Sequence, residues 1–219
     1  LQSKIKHLNL NDNVIEQIKI GINSDRNFKR YNNINELIQY SYRVAVCVGL
    51  IMCELMNIKD TEYKFHAIDL GIAMQLTNIC RDISEDLENG RVYIPKTLLP
   101  ANSISLKDEN IYLAINQILI LSERYYESAL CAIKYIPIRS RFSILLALRL
   151  YQAIGKKIKK SKNKYLNNKI NITKSEKFII LVSCIFELLF MHLFSFGKNR
   201  HNQKLHEALK DLPFANEKI

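Results

Sequence analysis

An apolar run broken by polar residues at helical intervals constrains this chain more than any other feature. It lies in DLGIAMQLTNICRDISEDLENGRVYIP, from Asp69 to Pro95. At about 100° per residue, a helix over Ile68–Asp86 places Gln75, Asn78, Asp82 and Asp86 within roughly 80° of one another. Most neighbouring positions are apolar, as in a buried helix, where an amide or carboxylate needs a partner once it leaves water. Two carboxylates one turn apart repel by about 0.2–0.5 kcal/mol even when exposed. A divalent cation turns that repulsion into binding. Mg2+ takes few carboxylates, keeps several waters and completes its octahedron with phosphate oxygens. Asn78, Asp82 and Asp86 suit that role better than a closed protein cage. A bare D-x-x-x-D pair is usually a solvated helix face; here the apolar context and the trailing Gly90, Arg91, Tyr93 and Pro95 favour a site.

Only 6 glycines and 4 prolines occur in 219 residues, so the chain is expected to be mostly helical. With 48% hydrophobic residues it can bury a sizeable core, and residues 1–219 are read as one all-helical domain with a polar tail over about 198–219. The five cysteines (Cys47, Cys53, Cys80, Cys131 and Cys184) are dispersed, mostly in apolar runs, with no C-x-x-C pair. They read as reduced, buried thiols of a cytoplasmic protein. The net charge of +11 asks for an anionic partner. Acidic lipid or a diphosphate is expected and no nucleic acid, because the lysines cluster away from aromatics and no recognition motif appears. The chain opens on Leu1 and not Met, so its natural start is expected to be missing or processed, and residues 1–30 show no signal peptide.

Taken in order, Val14, Ile15, Ile18 and Ile22 fall at helical spacing behind Asn11, Asp12 or Asn13 as N-cap. Ile34–Met56 is strongly apolar, with Ala45 and Gly49 four apart. Such a pair opens a groove for a second helix or a long apolar ligand, and helix packing is the first expectation. Thr61 is expected to cap the central helix, which runs to about Leu87 and ends at Asn89-Gly90. Further helices are expected over Ile111–Ile136, stopped by Pro137, and from about Arg139 to Ile158. Residues 156–177 hold nine lysines and one glutamate. A solvated loop is the default reading, attraction to diphosphate or anionic lipid the competing one. Phe178–Phe196 has the length of a membrane span, but Glu187 and His192 argue for a buried or membrane-apposed helix.

The segment QLTNICRDISEDLENGRVYIP resembles the second aspartate-rich motif of the squalene and phytoene synthase family. YSYRVAVCVG resembles the tyrosine-led helix upstream of it, and PIRSRFSILLALRLYQAIGKKI is similar to a phytoene synthase segment that ends in tyrosine and Ile-Gly. The likeness covers roughly residues 14 to 182. It implies an all-α, isoprenoid-synthase-type helical bundle around a central apolar cavity, incomplete here at the N-terminus. In that family two facing aspartate-rich helices hold Mg2+, or Mn2+ in its place, against the diphosphates of two prenyl donors. Carried over by position, Asp82 and Asp86 are the metal-binding carboxylates, and Asn78 and Gln75 support them. Arg81 and Arg91 meet diphosphate oxygens, which guanidinium suits. Tyr40, Tyr93 and Tyr151 match tyrosines near the reacting carbons or the diphosphates, which makes Tyr40, Asp82, Asp86 and Tyr151 the expected catalytic set. Val44, Ala45, Val48, Gly49, Ala67, Leu70 and Met74 would line the tunnel for the isoprenoid tails.

The family reaction joins two prenyl diphosphates head to head through a cyclopropyl diphosphate. Three departures stand out. Val46-Cys47 replaces the usual Gly-Thr and is expected to narrow the tunnel. Lys169 stands where an arginine often contacts diphosphate, and the first D-x-x-x-D motif, expected upstream of the Tyr40 helix, does not occur. The resemblance favours a phytoene synthase using geranylgeranyl diphosphate for carotenoid biosynthesis, seated peripherally on the inner face of the membrane. Hydroxysqualene, dehydrosqualene and squalene synthases using farnesyl diphosphate are the alternatives, with a non-catalytic assembly factor of the same fold behind them.

Overall fold

The computed structural model describes residues 11–58, 60–100, 109–161, 170–193 and 201–216. Among them are eight α-helices and no strand: α1 (Asp12–Arg26), α2 (Ile34–Ser41), α3 (Cys47–Leu55), α4 (Thr61–Arg81), α5 (Ile83–Glu88), α6 (Glu109–Leu130), α7 (Ile138–Ser161) and α8 (Lys174–Leu193). Short 3-10 turns follow α6, at Ile133–Tyr135, and α8, at Gln203–Leu209. The expected all-α class is what forms.

Local chemistry sets the helix ends. Asn11 accepts the Asn13 N–H (2.9 Å) to start α1. Asn33 accepts the Glu36 N–H (3.1 Å) to start α2, while Glu36 reaches back to the Asn32 N–H (2.7 Å), a reciprocal cap. Asp60, not Thr61, caps α4 through the Glu62 N–H (2.9 Å). Carboxylate caps also complement the positive end of the helix, which explains the preference.

The apolar run Ile34–Leu55 is the one described stretch long and apolar enough to cross a membrane, yet half of it is buried inside the protein. It is also interrupted. Tyr42–Val46 forms one π-helical turn between α2 and α3, which shifts the register of the side chains that follow. Tyr42, Val46 and Cys47 turn fully into the core.

α4 is the hub. It packs most extensively on α6 and also meets the π-turn, α2, α3 and α7. It approaches the π-turn tightly at Gly71, where an added Cβ would stand 2.9 Å from Val46 Cα and 2.8 Å from Val46 Cγ2. Gly21 of α1 approaches Arg43 in the same way, at 2.9 Å from its Cβ. The Ala45/Gly49 pair does not serve helix packing as expected. A Cβ on Gly49 meets only the Ala67 carbonyl at 3.9 Å, so that groove stays open.

Three further expectations change. The central helix is not continuous to Leu87: it breaks at Asp82 (φ −98°, ψ 10°), although Asp82 N–H to Asn78 C=O and Asp86 N–H to Asp82 C=O (both 2.9 Å) keep the four-residue spacing. α8 is not a buried helix, since Cys184 is its one fully buried residue among those described, while Phe178, Ile179, Phe186, Leu189 and Phe190 are exposed. Glu187 pairs with Arg149 (Nε to Oε2, 3.0 Å), which gives its charge a partner within the protein. The tail is polar in composition but residues 201–216 are packed. Leu205, Leu209 and Ala215 are buried, Tyr125 Oη donates to the Leu205 carbonyl (2.7 Å) and Gln39 to the Ala208 carbonyl (2.9 Å).

Candidate active site

A cavity of about 490 Å3 opens beside α4, within the size range of small-ligand sites. One wall is the π-turn and α3, with Val44, Ala45, Val48 and Gly49; the facing wall is α4, with Ala67, Leu70 and Met74. These seven expected lining residues thus meet on one cavity, since positions four apart on each helix share a face. Ala129, Ala132, Ile133, Ile144 and Ala147 from α6, α7 and their connection complete the lining. Sequence reasoning missed them, because nothing in their local pattern separates a cavity wall from a core face. Val46 and Cys47 do not narrow the cavity as expected. They point away into the core, Val46 against Gly71.

The polar end of the cavity carries Gln75 and Asn78, one and two turns along α4 from the apolar wall. Asn78 Oδ1 is buried and has no hydrogen-bond partner among the described residues. An orphaned acceptor there costs about 1–3 kcal/mol unless a ligand, water or ion meets it. Asp82 follows, held by both Nε (2.9 Å) and a terminal nitrogen (2.7 Å) of Arg81. That bond, ahead of the opposing burial, holds the Arg81 guanidinium above its ordinary pKa, with Asp82 and Tyr151 contributing. Asp86 behaves differently. Partial burial, then the charges of Asp82 and Glu85, push its carboxyl up to about 6, against the opposing pull of Arg91. Gly90, at φ +71°, makes the turn that lets the Arg91 N–H reach the Asp86 carbonyl (2.8 Å). Two crowded carboxylates and an orphaned amide oxygen are the donor set a hard divalent cation takes, so Mg2+ fits this group.

Tyr40 and Tyr93 lie on one further carboxylate that sequence reasoning did not single out. Both hydroxyls donate to Asp25 Oδ1 at 2.9 Å, and their rings stack at 5.1 Å between centroids. Tyr31 and Phe28 pack around them, with Phe28 edge-on to Tyr93 at 5.1 Å. Burial first, and then the neighbouring Tyr93 phenol and the Asp25 charge, raise the Tyr40 hydroxyl above its ordinary value, so it stays protonated. Asp25 also adds to the upward shift on Asp86, which puts α1, α2 and the loop after α5 in one electrostatic neighbourhood. The signal for Asp25 was thin, a lone acidic residue in SDRNFKRY at the end of α1. Arg30 stitches the neighbouring loop in place through the Ile94 carbonyl (3.0 Å) and the Leu99 carbonyl. Tyr151 stands near Arg81 from α7. Lys169 lies outside the described residues.

Comparison with known proteins gives this arrangement a lineage. The sequence model of the family named squalene/phytoene synthase matches residues 1–176. A 15-cis-phytoene synthase of Paracoccus sp. (strain N81106 / MBIC 01143) is 34% identical over 165 residues, covering 74% of this chain and 54% of that protein. One from Enterobacter agglomerans is 33% identical over 170 residues, with 74% and 58% covered. The chain therefore spans little more than half the length of these relatives. Among solved structures, a dehydrosqualene synthase superposes with a TM-score of 0.73 at 24% identity, over 87% of this chain and 70% of that one, a likeness of fold. The cavity, the aspartate stripe and the motif order all sit inside the matched span, and the chain belongs to the squalene/phytoene synthase family.

Proposed function

We propose that the protein acts as a phytoene synthase-type prenyltransferase, joining two geranylgeranyl diphosphates head to head to give a C40 product for carotenoid biosynthesis. The observation that carries this reading is the orphaned Asn78 oxygen beside Asp82 and Asp86 at the polar end of an otherwise apolar cavity. Phytoene synthases among its relatives support the choice of product class.

Asn78, Asp82 and Asp86 would hold Mg2+, or Mn2+ in its place, and the cation when bound supplies Lewis-acid stabilisation of a diphosphate leaving group. The chain's own groups do the rest. Arg81 and Arg91 bring guanidinium donors to the same end, suited to diphosphate oxygens. The apolar walls from Val44 to Met74 hold a hydrocarbon tail and keep water from a carbocation. Tyr40 and Tyr93 keep their hydroxyl protons and donate them to Asp25, so they would meet a nearby cation as neutral phenols whose aromatic rings can still stabilise it. Tyr151, from α7, stands beside Arg81 of α4. Intact Asp82 and Asp86 speak against the non-catalytic assembly-factor reading.

Peripheral attachment to the inner face of a membrane completes the proposal. The exposed apolar flank of α8 follows a lysine-rich connection, a pairing that suits an anionic bilayer surface. The test of chain length is direct. The enzyme, expressed with whatever coding sequence precedes Leu1, is given C15 and C20 diphosphates with Mg2+ and its products are separated. A C40 hydrocarbon is expected; a C30 product alone would move the assignment to the farnesyl-using branch.

A further inference from the structure

A second convergence of ligand-type side chains lies on α4, away from the aspartate stripe. Asp69 is fully buried, and His201 and His206 reach it from the C-terminal segment with 8% and 2% exposure. His201 Nε2 is 2.8 Å from Asp69 Oδ2, and His206 Nε2 is 3.0 Å from Asp69 Oδ1. The three donor atoms lie within 4.8 Å of one another. The residues are 132 and 137 positions apart in sequence, so no local motif brings them together.

The Ala215 carbonyl, 3.1 Å from His206 Nδ1, can only accept, so Nδ1 carries a hydrogen and Nε2 is the nitrogen left to face Asp69. Between Nε2 and the carboxylate oxygen there is room for a ring hydrogen or, in its place, a metal ion that takes both atoms as ligands. His201 Nδ1 is buried without a partner among the described residues, so no hydrogen bond pins its tautomer and its Nε2 is equally open to ligation. Ser128 donates to Asp69 Oδ2, and His66 Nδ1, 3.2 Å from Ser128 Oγ, donates to the serine in turn. A histidine whose other nitrogen donates to a backbone carbonyl, and a carboxylate held by a hydroxyl, are the outer-shell supports of metal ligands.

We propose that Asp69, His201 and His206 form a structural site for a borderline divalent metal of the Zn2+ class, which fastens the C-terminal segment to the back of α4. Two imidazoles and one carboxylate suit Zn2+ and not Mg2+, so this site is chemically distinct from the aspartate stripe. Tetrahedral donors at Zn–N and Zn–O distances of about 2.0–2.1 Å stand about 3.3 Å apart, so the present contacts open by only a few tenths of an ångström. The fastening has a clear object. His66 and Ala67, on the turn of α4 just before Asp69, line the apolar cavity, while the clamped segment packs His201 and His206 against Phe65 of the same turn, with ring centroids 5.3 and 5.6 Å apart. The segment also carries the His201 N–H to Glu62 Oε1 bond (2.8 Å) and the Pro213 carbonyl that accepts from Tyr42.

The test uses the untagged protein, stripped with a chelator and kept in excess Mg2+ so that the aspartate stripe is satisfied. Co2+ serves as a spectroscopic probe and Zn2+ as the stabilising ion. One equivalent of Co2+ per chain is expected, with ligand-field bands and no thiolate charge-transfer band, which sets imidazole and carboxylate apart from the five cysteines. Zn2+ at about 100 times its Kd should raise Tm by about 5–10 °C. The His201→Ala/His206→Ala double variant should bind no Co2+ and show no Zn2+ response. The Co2+ spectrum of the unaltered protein needs no variant, so the proposal stays testable if the double variant fails to fold. Absence of stoichiometric Co2+, a thiolate band, or a Tm unmoved by Zn2+ would each overturn it and leave the segment held by hydrogen bonds alone.

Discussion

At Asp86 the folded protein works against its own stability. A free aspartate titrates near 3.8, and burial among carboxylates lifts Asp86 to about 6. The folded state therefore holds this proton more tightly than the unfolded chain does. The stability it confers is complete below 3.8 and is lost as pH rises through 6. Without divalent cation at pH 7.5, Asp86→Asn should raise Tm by about 2–4 °C, worth about 1 kcal/mol once solvent screening of a half-buried group is allowed for. The gain should shrink at pH 5, where the native carboxyl is mostly protonated; equal gains at both values would refute the shift. In the complete enzyme the same substitution, and Asp82→Asn, should abolish turnover while circular dichroism stays native. Measurable turnover by either variant at ordinary Mg2+ would remove the metal assignment. The aspartate stripe was legible because its members are three and four residues apart. Asp25 was not, since its meaning depends on Tyr40 and Tyr93, which lie 15 and 68 residues away.

Between elements, two glycines that look alike in sequence do opposite work. Gly71→Ala drives a methyl into the Val46 backbone, which cannot step aside cheaply, and should cost about 1–3 kcal/mol. Gly49→Ala meets nothing closer than 3.9 Å and should leave Tm nearly unchanged while filling part of the cavity. A thermal melt of both variants separates packing from lining, and equal losses would contradict the geometry. The sequence pattern marked Gly49, four residues after Ala45, and passed over Gly71. Which one faces a neighbour's backbone depends on a helix crossing that no single stretch encodes. α8 tells a similar story. Its length was that of a membrane span, and Glu187 and His192 pointed to a buried or membrane-apposed helix; its neighbours cover one flank only. If the exposed flank meets a bilayer, Phe178→Glu and Phe186→Glu should each weaken binding to anionic vesicles by about tenfold or more, consistent with about 1.5–3 kcal/mol per buried phenylalanine. Sedimentation with vesicles reads this out, and unchanged binding by both variants would detach α8 from the membrane role.

For the molecule as a whole, the helical class, the cavity walls on α3 and α4 and the order of motifs were legible from spacing and from resemblance. The cavity walls on α6 and α7 and the packed C-terminal segment were not, because each depends on contacts more than a hundred residues apart or on a partner face with no signature of its own. The 219 residues carry one aspartate-rich motif of the two that the family sets face to face. We expect them alone to bind a prenyl diphosphate but not to turn it over, with activity gained when a segment bearing the first motif is co-expressed. Turnover by the chain alone would show that one motif suffices.

The π-turn at Tyr42–Val46 constrains how such proteins can vary. On its near side Tyr40 belongs to the Asp25 cluster; on its far side Val48 and Gly49 face the cavity. Those two surfaces are in phase because the π-turn takes up one surplus residue between them. Losing that residue would let the turn close to α-helix with both surfaces still in phase, whereas losing another, or gaining one, would rotate everything beyond by about 100° and turn cavity wall into core. Working relatives should therefore keep the count between the tyrosine and the glycine, or shorten it by one residue with an unbroken α-helix in place of the π-turn.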